Sequence, residues 1–219
     1  MRWPGTLKDA RKVQLSVKHK VQITRLLKSP VFIAGVDAAF SPDSITAAAC
    51  LYRFPDLVPL EDAYVTLKTV FPYVPGFLSF REGPAIIKAV NRLKTRPDVI
   101  LFDGQGIAHP HGLGIASHIG VLLNIPAIGC AKSRLVGEYS EPGIYKGQYS
   151  TLSYRGHIVG MVVRTRDRVK PVFVSPGHLI DLESAVSIIL KCTRSFRIPE
   201  PIRRADHLSR KLKKSVQVI

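Results

Sequence analysis

Apolar residues at Leu7, Ala10, Val13, Val17, Val21 and Leu27 recur with helical spacing, and Thr6 stands where an N-cap belongs. The pattern predicts a first helix from Thr6 to about Lys28, ended by Ser29-Pro30. Val31–Phe40, Ile45–Phe54 and Leu60–Val70 read as three strands joined at Ser41-Pro42-Asp43-Ser44 and Pro55-Asp56. Connections this short predict an antiparallel meander. Pro72, Pro75 and Gly76 exclude regular structure from Phe71–Phe80, and a helix follows over Glu82–Lys94 with Ile86, Ile87, Val90 and Leu93 as its stripe. The four-residue apolar run Val99–Phe102 reads as a fully buried strand. A helix over Gly112–Asn124 and a short strand over Ala127–Cys130 come next, which implies a right-handed parallel crossover. Tyr149–Tyr154 and Ile158–Thr165 form a hairpin turning at Arg155-Gly156-His157, and Pro171–Ser175 is a last strand. Helices over Leu179–Cys192 and from Pro201 at N1 to about Lys214 close the chain.

The expected class is α/β: a mixed sheet of antiparallel then parallel strands flanked by helices. That order matches the ribonuclease H-like arrangement, and 219 residues suit one catalytic domain over 1–219. No apolar run approaches a membrane span, and no signal-peptide core follows Met1-Arg2-Trp3-Pro4-Gly5, so a cytoplasmic location without membrane association is expected. Cys50, Cys130 and Cys192 form no CxxC pair and read as reduced core thiols. Charge changes the picture most. Lys plus Arg number 32 against 16 acidic residues, a net +16 that suits a polyanionic partner, nucleic acid first. Aromatics at 8% argue against a stacking platform for single strands.

Three carboxylates stand out against this background. The Val99 run stops on Asp103, with Gly104 and Gly106 behind it. An ionised carboxylate at the end of a buried strand is costly unless paired, so Asp103 is either the cap of a turn or a ligand at a site. Asp37 interrupts the apolar strand Phe32–Phe40 and has either a hydrogen-bonded structural role or a metal. Glu82 follows Ser79 by three residues, which a capping box explains, although a carboxylate in a first helical turn can also face a metal. Carboxylates gathered at one sheet edge repel one another. Hard divalent cations relieve that repulsion, and carboxylate-held Mg²⁺ serves phosphoryl chemistry.

Gly35-Val36-Asp37 with Phe40, the block Pro72-Tyr73-Val74-Pro75-Gly76-Phe77-Leu78-Ser79-Phe80-Arg81-Glu82, Asp103-Gly104-Gln105-Gly106-Ile107-Ala108-His109-Pro110 and Gly129-Cys130-Ala131-Lys132-Ser133 closely resemble endonuclease V. The resemblance reaches to Pro199-Glu200-Pro201-Ile202-Arg203 and His207, nearly the whole chain. It implies a Mg²⁺-dependent enzyme, with Mn²⁺ able to substitute, that cuts the second phosphodiester bond 3′ to hypoxanthine in DNA, or in RNA, acting as a monomer. Asp37, Glu82 and Asp103 match the family's metal-binding catalytic carboxylates. Lys132 matches a lysine at the reacting phosphate, His109 a histidine beside the site and His207 a C-terminal histidine near the metal. Pro72-Tyr73-Val74-Pro75 matches a wedge that fills the space of an extruded base. Gly76, Arg81, Gly104 and Gly106 complete the expected substrate-binding set, the glycines by close backbone approach. The chain departs from the family pattern at His111, where Arg is usual. On their own, His118 reads as a core or capping histidine and His178 as a helix-start residue, while Arg203, Arg204, Arg210, Lys211, Lys213 and Lys214 suit backbone phosphates.

Three alternatives remain at this level. An inosine-specific endoribonuclease would share every motif. Another ribonuclease H-like nuclease, acting on hybrids or junctions, would not need the Pro-Tyr-Val-Pro wedge. A non-catalytic binding protein on the same scaffold would lack a carboxylate.

Overall fold

The computed structural model describes residues 3–215, and for 214 and 215 the backbone only, so Met1, Arg2 and the side chain of Lys214 lie outside the described residues. The first helix, α1 (Leu7–Lys18), starts at Thr6, whose hydroxyl accepts from the Asp9 amide, and stops well short of Lys28. β-branched Val21, Ile23 and Thr24 disfavour its continuation. The extended backbone there is used elsewhere: the Gln22 amide donates to His178 Nδ1, and the Leu179 amide donates to the Gln22 carbonyl.

β1 (Phe32–Phe40), β2 (Ser44–Arg53) and β3 (Val58–Lys68) form the expected antiparallel meander. After α2 (Leu78–Val90), β4 (Val99–Phe102) pairs parallel to β1. After α3 (Ile115–Leu123), β5 (Ala127–Ala131) pairs parallel to β4. The parallel pattern ends there. β6 (Tyr149–Tyr154), β7 (His157–Val163) and β8 (Val172–His178) complete one sheet in the order β3-β2-β1-β4-β5-β8-β7-β6, all antiparallel to their neighbours. Arg155 and Gly156 make the turn between β6 and β7. Both have positive φ, 53° and 78°, the geometry of a two-residue hairpin turn.

α2 and α3 cover one face of the sheet, packing Ile86, Ala89 and Ile119 on Ala34, Val36 and Ile100. The other face is covered by α4 (Leu182–Lys191) and α5 (Glu200–Ser215) through Ile189, Ile202 and Ala205 on Ile33, Leu101 and Cys130. All three cysteines are buried and free, as expected. Among the described residues no helix is long and apolar enough to cross a membrane.

Two local expectations are corrected. Ser79 and Glu82 do not form a capping box: the N-cap is Phe77, and Ser79 lies inside α2 with its hydroxyl 2.8 Å from His118 Nδ1 on α3. Phe71, Phe77 and Phe80 pack as an apolar patch beneath α1, and this patch draws the helix start back to Leu78. His178 ends β8 rather than starting a helix; Asp181 caps α4 instead, accepting from the Ser184 amide at 2.6 Å. His118 is a core histidine as read from sequence, enclosed by Trp3 and Phe80.

α5 approaches β1 closely because Gly35 has no side chain. A Cβ there would lie 2.1 Å from the Pro201 carbonyl carbon. Gly35→Ala is therefore expected to push α5 off the sheet and cost about 1–3 kcal/mol, readable as a lowered urea midpoint. Burial holds His118 well below its ordinary value, at about 4. On unfolding at a pH between 6.5 and about 4 this histidine takes up a proton, so its presence destabilises the fold progressively across that window. The stability of His118→Phe relative to the parent is expected to rise as pH falls from 6.5, by up to about 1.4 kcal/mol per pH unit.

Candidate active site

Val36 on β1 registers with Phe102 on β4, so the next residue on each strand, Asp37 and Asp103, leaves adjacent parallel strands at one level. Their side chains share the α5 face, where the Ser209 hydroxyl reaches Asp37 Oδ2 at 3.4 Å. Glu82 enters from α2 and is 8% exposed. Lys132, just past β5, donates to Asp103. The topology explains the convergence: the interior of β1, the end of β4, α2 and the turn after β5 come together, because the shorter parallel strands stop where β1 continues.

The electrostatics are those of a crowded anionic cluster. Burial, then Asp103 and Asp206, raise Asp37 from the carboxylate range to about 7, against Lys132 and a bond from the Ala38 backbone. Burial, then Asp37 and Asp103, raise Glu82 well above its ordinary value, with Arg81 opposing. Burial works against the charge of Lys132, but its bond to Asp103 and the neighbouring carboxylates outweigh that and raise it. The donor set is all carboxylate oxygen, its charge only partly offset by Lys132 and Arg81, which fits a hard divalent cation. Among the described residues, however, no three His, Cys, Asp or Glu side chains are drawn together tightly enough to hold an ion. The carboxylates stand within electrostatic reach of each other, and Lys132 engages one of them.

A cavity of about 400 Å³ opens beside this cluster. Tyr73, Val74, Pro75 and Gly76 form one wall, and Asp103, Gly104, His109 and Lys132 contribute to the other. Gly76 has φ +80°, and its carbonyl accepts from Gln14 on α1, which fixes the loop. Tyr73 is 66% exposed. His109 is buried, and burial, then His111, lower it to about 4, so it is a neutral wall.

Four expected residues stand elsewhere. Gly106 is packed internally: a Cβ would lie 2.0 Å from the Pro176 carbonyl oxygen, and its amide donates to the Ser175 hydroxyl. Its close approach is therefore to β8. Arg81 lies over the Phe40 ring, 4.5 Å to the centroid, outside the cavity lining. Pro72 is exposed and also outside the lining. His207 is exposed on α5, whereas its neighbour Asp206 is the residue whose charge acts on Asp37 and Lys132. Asp206 also pairs with Arg210 at 2.8 Å. The signal for Asp206 was helical phase. Asp206 is four residues after Ile202 and three before Ser209, both buried against the sheet; His207 is a further 100° round. Gln105 was also missed. It is buried in the cavity wall, donates to the Ser133 carbonyl at 3.1 Å and leaves Oε1 without a partner.

Residues 15–207 match the family model for endonuclease V. An endonuclease V of Geotalea uraniireducens is 49% identical over 96% of this chain and 90% of its own length. The crystal structure of endonuclease V from Streptomyces avermitilis superposes with a TM-score of 0.94 at 39% identity, over 99% of this chain and 96% of that one. Endonuclease V of Ciona intestinalis, crystallised with a 24mer DNA containing an inosine followed by a ribo-adenosine, gives 0.86 at 28% identity over 96% and 98%. With this site and these relatives, the chain belongs to the endonuclease V family, ribonuclease H-like nucleases that hydrolyse phosphodiester bonds.

Proposed function

We propose that this nuclease is Mg²⁺-dependent, with Mn²⁺ able to substitute, and repairs DNA by hydrolysing the second phosphodiester bond 3′ to deoxyinosine, leaving 3′-hydroxyl and 5′-phosphate ends. The observation that carries the reading is a carboxylate cluster that reaches, through Asp103, a cavity of about 400 Å³ walled by the loop Tyr73-Val74-Pro75-Gly76. The Ciona intestinalis relative with inosine-containing DNA supports the substrate.

Asp37, Glu82 and Asp103 would hold the cation, with Asp206 adding charge from α5. When bound, the ion activates water and offsets charge developing on the phosphate. Lys132 supplies a positive charge at the cavity floor. It is 43% exposed and can turn from Asp103 to a phosphate oxygen. The Pro72–Pro75 loop has little conformational freedom to lose, so Tyr73 and its neighbours can occupy a vacated stack at low entropic cost. Hypoxanthine pairs weakly and is cheaper to extrude than a normal base. Gln105 and neutral His109 belong to the wall that the base or its sugar would meet.

The test is a cleavage map on matched strands carrying one inosine or one adenine, as DNA and as RNA. Cuts are expected at the second bond 3′ to inosine, strongest in DNA, and abolished by chelator. Asp37→Ala and Asp103→Ala are expected to lose about a hundredfold or more in rate while the basic surface still binds. Equal cutting of adenine strands, indifference to chelator, or full rates in either variant contradicts the reading.

A further inference from the structure

The loop that walls the active-site cavity has a second side. Val74 and Pro75 also line a separate groove of about 670 Å³, whose opposite bank is α1. Lys8, Arg11 and Lys12 face into it, with His111 at one end. Positions 8, 11 and 12 share one helical face, and the opposite face, Ala10, Gln14 and Val17, anchors α1 to the protein. All three cations are exposed. Among the described residues that line the groove none is acidic, and the neighbouring Asp9 is bonded by the Thr6 hydroxyl and meets Lys12 at 3.9 Å. Lys18, nearly two turns further along α1, runs beside Gly112, the residue after His111.

We propose that this groove holds the sugar–phosphate backbone of the strand paired with the one being cut. The inference rests on the nuclease reading above. A loop wedged into a duplex parts the two strands around it. The strand with the extruded base lies on the side of Asp103 and Lys132, so its partner lies on the other side of Val74 and Pro75. There it meets three exposed cations and, among the described lining residues, no carboxylate. Three exposed cations on one helical face, set beside an apolar bank of Leu7, Val74, Pro75 and Phe77, present charge to phosphates rather than a hydrogen-bonding pattern to base edges. The subsite therefore distinguishes duplex from single-stranded substrate and carries no sequence preference.

The test is the ratio of duplex to single-strand affinity, for strands bearing one inosine, measured by fluorescence anisotropy in calcium or chelator. In Lys8→Ala/Arg11→Ala/Lys12→Ala the ratio is expected to fall about tenfold. The log–log salt slope for duplex is expected to drop by about 2–3, from roughly 0.9 per phosphate neutralised. Alanine preserves the helix, and an unchanged Tm verifies that. A second triple variant, Lys28→Ala/Lys88→Ala/Lys94→Ala, removes the same charge near the other end of β1 and β4 and is expected to leave the ratio as in the parent. An unchanged ratio in the first variant, or an equal fall in both variants, overturns the proposal. Failure of the parent to prefer inosine over adenine would instead count against the nuclease reading, and the ratio would still report on the groove.

Discussion

Parallel register between β1 and β4 is the constraint on which the rest depends. It sets Asp37 beside Asp103 at one level of one face, and this places two like charges where water is scarce. Each neighbouring element then answers to that choice. α5 comes close over Gly35 and brings Ser209 and Asp206. α2 adds Glu82 and, with it, more negative charge. Lys132, just past β5, engages the cluster directly. A protein selected for stability alone gains nothing from such an arrangement, because buried like charges without a counter-ion are costly. The arrangement makes sense as a seat for a cation and for a phosphate.

The second requirement is a rigid partition. Phe71, Phe77 and Phe80 pack against Ala10 beneath the loop, and Gln14 holds it through the Gly76 carbonyl. The loop therefore stands between two spaces without being mobile at its root. One space is neutral in its deep wall and charged at its floor; the other is a cationic groove. A duplex needs both once one of its bases has been removed from the stack.

Most of the sheet was legible because alternation and turn chemistry report local structure directly. β1 to β5 lie close to where periodicity placed them. The errors share a cause: tertiary contacts overrode local signals. Ser79 had the spacing of a cap, but His118 offered its hydroxyl a better partner in the core. Residues 19–28 had helical spacing, but Gln22 bonded to β8 and its neighbour instead. The carboxylates were visible because Asp is out of place in apolar strands. Asp206 was hidden in an ordinary basic helix, where only the phase set by Ile202 and Ser209 shows which side faces the cluster. Gly106 illustrates the reverse: a glycine in a motif beside the site that packs on Pro176, where a Cβ would not fit.

The central claim is that mutual repulsion among Asp37, Glu82 and Asp103 is relieved by a divalent cation. Thermal unfolding of the parent and Asp37→Asn at pH 8, each without metal and with saturating Mg²⁺, tests it most directly. The account predicts a crossover. Without metal the variant melts at or above the parent, because a buried charge is gone. With Mg²⁺ the parent rises and the variant gains much less. A variant that melts lower without metal and keeps the full Mg²⁺ shift would contradict the account.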